Sequence, residues 1–208
     1  MRCIPKRKQQ QEVFIMENKR MSTKIIALCS VLTALVVILQ FMGAFVHFGL
    51  FSVSFVLIPI VLGAALCGTY AGIWLGFVFG VIVLLSGDAA AFLAVNIPGT
   101  ILTVLLKGIA CGFFAGLVYK LTAKYNRYLA VIAAAIVCPV VNTGVFLLGC
   151  RLFFWDTILS GAQGGGFESA VQYIVFSLVG GNFLFELGLN MVISPVIVRL
   201  IKIRKGQE

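Results

Sequence analysis

Five polar side chains stand inside segments otherwise built for lipid: Lys107, Asn142, Asn182, Glu186 and Asn190. Asn182, Glu186 and Asn190 recur every four residues in the stretch Ser177-Leu-Val-Gly-Gly-Asn-Phe-Leu-Phe-Glu-Leu-Gly-Leu-Asn190. At that spacing a helix gathers them into one polar stripe. An ionisable group at mid-membrane costs ~2.5 kcal/mol or more, so it faces a partner or a wet cavity. Two arrangements meet that need. One is a Lys107–Glu186 ion pair that neutralises two buried charges. The other is a pocket in which a few polar groups converge in an apolar wall, as in small-molecule sites. The three amides fit either arrangement, as ligand contacts or as interhelical bonds worth ~0.6 kcal/mol each.

The elements that must position these residues follow from composition and charge. The chain has 208 residues, of which 61% are hydrophobic and 11% charged. A soluble domain carries roughly a quarter charged residues, so this is a polytopic membrane protein embedded in a lipid bilayer. A net charge of +9 would suit nucleic acid, but its placement argues against that partner. Seven of the sixteen Lys and Arg precede residue 25, three lie between 120 and 127, and four follow residue 198. Basic clusters beside apolar spans mark the cytoplasmic side. Both basic termini are therefore expected inside, which requires an even number of spans, and six fits. The expected fold class is an all-α polytopic membrane protein with six transmembrane helices and both termini cytoplasmic.

In chain order, residues 1–22 read as a basic cytoplasmic tail without order of its own, and residues 23–205 as a single six-helix membrane domain. The first span, 25–45, is long enough for ~30 Å of hydrocarbon. One side of it carries Thr23, Ala27, Ser30 and Ala34, small residues that let another helix approach closely. Residues 50–85 are too long for one span and tight for two, so a short turn near Gly68 is expected between them. Gly68, Gly72, Gly76 and Gly80 then form a continuous glycine face. An outer loop at 86–99 holds Asp88 and Asn96. The fourth span, 100–120, carries Lys107 and its own glycines at 108, 112 and 116. The fifth, 128–150, contains Pro139 and Asn142. A second long outer loop, 151–169, holds Trp155 and the glycine-rich segment 161–166. The last span closes the chain. The glycine faces serve either packing within the bundle or a partner in the membrane.

Depth brings the polar residues together. Lys107 lies about eight residues, or ~12 Å of helix, below the outer end of its span. Asn142 lies at a similar distance from the outer end of the fifth span, Asn182 enters at a comparable level and Glu186 one turn deeper. These groups would line a cavity open to the outside, capped by loops carrying Ser52, Ser54, Asp88, Asn96, Phe153 and Trp155. Catalysis is not expected. The sequence has no HExxH, no second His beside a nucleophile and no Walker A motif, so any ATP use belongs to a partner. Its six cysteines form no CxxC pair and its single His47 rules out a site of several imidazoles, so no metal site is expected.

Three stretches carry a family resemblance: Pro98-Gly-Thr-Ile-Leu-Thr-Val-Leu-Leu-Lys-Gly108, Cys138-Pro-Val-Val-Asn-Thr-Gly-Val-Phe-Leu-Leu-Gly149 and Gly180-Gly-Asn-Phe-Leu-Phe-Glu186. With six spans and long outer loops, the chain resembles the S component of an energy-coupling factor (ECF) vitamin transporter, most closely the riboflavin-type branch. That resemblance implies a subunit that binds a vitamin or related micronutrient outside a prokaryotic plasma membrane. Its partners would be a membrane-embedded coupling subunit and two ATPases that hydrolyse ATP; no cofactor would be bound by this chain. The implied substrate-binding residues are Lys107, Asn142, Asn182, Glu186, Asn96, Trp155, Ser54 and Asn190. The family's first-helix AxxxA motif, which meets the coupling subunit, is approximated by Ser30-Val-Leu-Thr-Ala34, with Ala27 beside it. Lys107 suits an anionic ligand such as pantothenate, whereas aromatic loops suit a flat ring such as riboflavin. The alternative is a stand-alone secondary transporter or channel for a small solute that uses Glu186 and Lys107 inside the membrane.

Overall fold

A computed structural model describes the backbone of residues 6–43, 47–48, 51–52, 55–174 and 180–205, and the side chains of 23–43, 55–174 and 183–199. Among the described residues the regular structure is helical except for an antiparallel ribbon of two residues per strand, β1 (His47–Phe48) with β2 (Phe51–Ser52). The long helices are α1 (Lys6–Gly43), α2 (Leu57–Cys67), α3 (Thr69–Leu85), α5 (Ile97–Thr122), α6 (Arg127–Phe153) and α9 (Gly180–Lys205). Short helices α4 (Ala90–Leu93), α7 (Trp155–Gly164) and α8 (Ala170–Tyr173) lie in the connections at one end.

The break expected near Gly68 is present and has a local cause. Gly68 adopts φ 96° and ψ 175°, a conformation open to glycine and costly for other residues. It ends α2 and starts α3 without an intervening loop. α2 has 11 residues, only ~16 Å of helix, which explains why 50–85 looked tight for two spans. Among the described residues, three helical segments are long and apolar enough to cross a membrane: Thr23–Gly43, Ile97–Thr122 and Arg127–Phe153. α2 and α3 are shorter apolar helices.

The glycine faces meet each other. A Cβ on Gly72 would lie 2.6 Å from the Gly112 carbonyl oxygen, and one on Gly80 would lie 3.0 Å from that of Val104. Gly76 and Gly108 oppose each other in the same way. α3 and α5 therefore pack backbone to backbone and antiparallel. The faces at 72–80 and 108–112 are consumed within the bundle, so of the two uses open in the sequence, internal packing holds for these helices.

α2 sits at the centre, with Leu57, Ile60 and Val61 fully buried beside Leu75, Phe79 and Val131. α1 is peripheral: 17% of its apolar window is buried, against 39% for α5 and 33% for α6. It touches α3 through the Trp74 indole N–H, which donates to Thr33 Oγ1 at 3.3 Å.

Two loop expectations need correction. Residues 151–169 are not an open loop, because α6 continues to Phe153 and α7 follows almost at once. Burial of Ile158 and Ala162 on one side of α7 orders the segment despite its glycines. The 86–99 loop likewise contains the single turn of α4.

Candidate functional site

Lys107 is the hub. Its Nζ lies 5.6 Å from the centroid of the Phe79 ring and 5.5 Å from that of Phe146. Two aromatic faces thus hold the ammonium, each within the ~6 Å range of a cation–π contact. The positions follow from register. α3 runs antiparallel to α5, which places Phe79 opposite Lys107. The Gly149–Thr103 and Phe146–Lys107 contacts fix α6 antiparallel on the other flank. Glu186 of α9 is buried, and its carboxyl is within electrostatic range of both the Lys107 ammonium and Cys138. Asp88 also acts on the Lys107 charge. Lys107 and Glu186 are therefore brought into one neighbourhood, as their depths in the sequence required.

The stripe on α9 is longer than expected. Asn190 is buried and donates through Nδ2 to the Glu186 carbonyl at 2.9 Å. Ser194, also buried, donates to the Asn190 carbonyl at 2.7 Å. The Asn190 amide thus bonds within its own helix rather than between helices. On α6, Asn142 is 6% exposed and its Oδ1 meets no donor among the described residues. No described residue supplies the interhelical bond to that oxygen which the structural reading of Asn142 called for. Asn182 lies outside the described side chains and Ser54 outside the described residues, as do the side chains of His47 and Ser52.

Other expected residues sit further out. Asn96 is the N-cap of α5, its Oδ1 accepting the Gly99 N–H at 3.0 Å. It stands eleven residues before Lys107, or ~16 Å of helix, so its described role is to start the helix that carries the lysine. Trp155 opens α7, half-buried under the Arg151 guanidinium, whose carbon lies 4.3 Å from the ring centroid. It joins Cys150, Ile158, Phe92 and Phe146 in a small apolar cluster over the end of the bundle. Through Phe146 that cluster reaches the Lys107 cage. Ala27, Ser30 and Ala34 are all exposed on α1.

Three polar groups were missed. Gln40 is the one amide in the first apolar segment; it is buried and donates through Nε2 to Asp88 Oδ2, tying α1 to the α3–α4 connection. Thr103 is buried one turn from Lys107 toward the α4 end of the bundle. Ser194 simply continues the four-residue spacing. Each carried a signal: a lone polar residue in an apolar run. The aromatic cage carried none, because Phe79 and Phe146 look like core residues.

A groove of about 610 Å³ lies elsewhere, beside the Gly68 turn, lined by residues such as Ala64, Ile73, Phe113, Leu117 and Lys120. Lys120 is thirteen residues past Lys107, ~20 Å along α5, so this apolar surface groove is separate from the polar cluster.

The polar cluster is thus buried, carries charges of both signs and is flanked by aromatic rings. Comparison with curated proteins and with solved structures returns no match. The family model for the ECF transporter, substrate-specific component, matches residues 24–198, nearly all of the helical bundle. The chain belongs to the family of substrate-specific components of ECF transporters.

Proposed function

We propose that this chain captures a vitamin or related micronutrient from outside a prokaryotic plasma membrane and hands it to a membrane-embedded coupling subunit powered by two ATPases. In this reading it spans the membrane six times through α1, α2, α3, α5, α6 and α9, with both termini in the cytoplasm. The substrate site is built around Lys107, Asn142, Glu186 and Asn190, with Asn182 entering from α9. α7 and the Trp155 cluster close it from outside. The exposed small residues Ala27, Ser30 and Ala34 dock the coupling subunit, a use left to α1 alone once the α3 and α5 faces are occupied by each other. Placement in the riboflavin-type branch rests on the three sequence stretches.

One observation carries the reading: an ammonium, the carboxyl of Glu186 and several amides are buried in an otherwise apolar bundle, with the carboxyl of Asp88 at its end. Such a gathering is costly in lipid and marks a substrate or ion pathway. Native mass spectrometry of the protein purified alone from its host membranes tests it. We expect a retained small molecule in the wild type and its loss in Lys107→Met. Retention at wild-type occupancy in Lys107→Met would move the site elsewhere. A protein that carries nothing, yet passes protons or ions through liposomes by itself, would select the secondary-transporter or channel reading.

A further inference from the structure

We propose that the groove beside the Gly68 turn seats an anionic phospholipid of the inner leaflet, with an acyl chain along the groove and the phosphate at Lys120. The groove has a volume of about 610 Å³ and lies between α2, α3 and α5. Its walls are apolar, formed by Ala65, Ile73, Phe113 and Leu117. Along α5 the lining runs from Phe113 to Ala123, ten residues or ~15 Å of helix. That length matches one leaflet of a hydrocarbon core ~30 Å thick. Left unfilled, such walls forfeit dispersion contacts, and an acyl chain restores them.

One end of the groove is positive. Lys120 lines it and is exposed, and Lys124 follows four residues later, also exposed. The Arg127 guanidinium acts electrostatically on Tyr119, another lining residue, so it belongs to the same end. α3 starts there as well, and the positive end of its dipole adds to the field. The acids among the described side chains lie elsewhere. Asp88, Asp156 and Glu168 sit beyond the far ends of α3 and α6, and Glu186 belongs to the Lys107 neighbourhood. Tyr70, which lines the groove, is 89% exposed, and Tyr125 is 91% exposed. Exposed tyrosines of this kind sit at the level of lipid headgroups. The groove thus has an apolar trough one leaflet deep that ends in cations at the interface. Basic pockets between helices on the cytoplasmic side suit lipid phosphates, and this end is cytoplasmic in the topology proposed above.

Charge selects the occupant. The chain's own segment before residue 25 carries seven Lys and Arg, and would bring like charge to Lys120. A second copy seated groove to groove would oppose Lys120 with itself. An anionic lipid supplies both what the walls and what the cations lack.

Native mass spectrometry and thermal unfolding of the delipidated full-length protein in detergent test the proposal. Dioleoylphosphatidylglycerol, dioleoylphosphatidylcholine and inorganic phosphate are added separately. Lys120→Gln removes the charge, and Ala65→Phe fills the groove. Lys24→Gln removes a basic residue that does not line the groove. The phosphatidylglycerol should bind more tightly than the phosphatidylcholine and raise the midpoint, whereas phosphate alone should do neither. Lys120→Gln should lower phosphatidylglycerol affinity about fivefold, the share of one basic residue near anionic lipid, and spare phosphatidylcholine. Ala65→Phe should weaken both lipids, and Lys24→Gln should match the wild type. Lys120 is exposed, so Lys120→Gln keeps the test alive if Ala65→Phe fails to fold. Equal binding of the two lipids, or unchanged phosphatidylglycerol affinity in Lys120→Gln, overturns the proposal. An equal loss in Lys24→Gln also overturns it, since the attraction would then be diffuse. A shift from inorganic phosphate as large as that from the lipid would make this an anion site without a lipid. Failure of both lipids to bind overturns the proposal too, and loss of coupling-subunit assembly in Ala65→Phe would then give the groove to the partner.

Discussion

Replacing Gly76 with Ala should loosen both the bundle and the site. Its added Cβ would stand 2.8 Å from the Gly108 carbonyl carbon and closer still to the oxygen. Comfortable carbon contacts begin near ~3.5 Å, so α3 and α5 must separate by about 1 Å. Overpacking of this kind typically costs ~1–3 kcal/mol. For a chain of this size each kcal/mol moves the midpoint by ~2–4 °C, so a fall of several degrees is expected. The separation also bears on Lys107. Phe79 is three residues from Gly76 and its ring centroid is 5.6 Å from Nζ, so a 1 Å opening passes the ~6 Å limit of the cation–π contact. Ligand affinity should fall with stability. Gly144→Ala is the matched control: nothing lies within 4 Å of its added Cβ, and better helix propensity should stabilise by up to ~1 kcal/mol. Differential scanning fluorimetry of both variants, with ligand binding measured on the folded fraction, decides the matter. A Gly76→Ala protein that melts and binds like the wild type would refute backbone contact between α3 and α5.

Three further outcomes are expected. Glu186→Gln should lower the unfolding midpoint and weaken substrate binding, because the buried Lys107 loses the opposing charge that acts on it most strongly; loss of one partner of a buried pair costs ~3–5 kcal/mol. Unchanged melting and binding would remove Glu186 from the site. In a cysteine-free background, Lys124→Cys should react with a membrane-impermeant maleimide only after the membrane is opened. Labelling from outside would overturn the proposed topology. Ala34→Trp should spare substrate binding and abolish partner-dependent uptake, since it fills an exposed small-residue face of α1; sparing both would show that α1 does not dock the partner.

Much of this arrangement is legible in the sequence because lipid enforces strict rules. Charge flanks the spans, so Lys120, Lys124 and Arg127 announce the turn between α5 and α6. A glycine every four residues announces close packing, though it does not name the facing helix. That Gly76 faces Gly108 is shown only by the folded chain. Lys107 and Glu186 are conspicuous because ionisable groups are expensive in the membrane. The Asn182–Asn190 stripe is visible for the same reason, and its extension to Ser194 follows the same spacing. Less was readable where the signal is shared with ordinary packing. Phe79 and Phe146 enclose Lys107, yet nothing separates them from other aromatic core residues. The engagement of Gln40 with Asp88 spans forty-eight positions, which no local pattern reveals. Asn96 reads as a loop polar group, but as an N-cap before Pro98 it starts α5. The glycine-rich 161–166 segment suggested an open loop, whereas tertiary burial of Ile158 and Ala162 holds α7 together.

The central claim is that this chain binds its substrate alone and accumulates it only with partners. Its most direct test is uptake into liposomes holding the protein with or without a matching coupling subunit and its ATPases, using the small molecule identified by native mass spectrometry. Binding should occur in both preparations. Accumulation inside the vesicles should require the partners and ATP, and should vanish in Lys107→Met. Accumulation by this chain alone, driven by a proton or ion gradient and without ATP, would contradict the account.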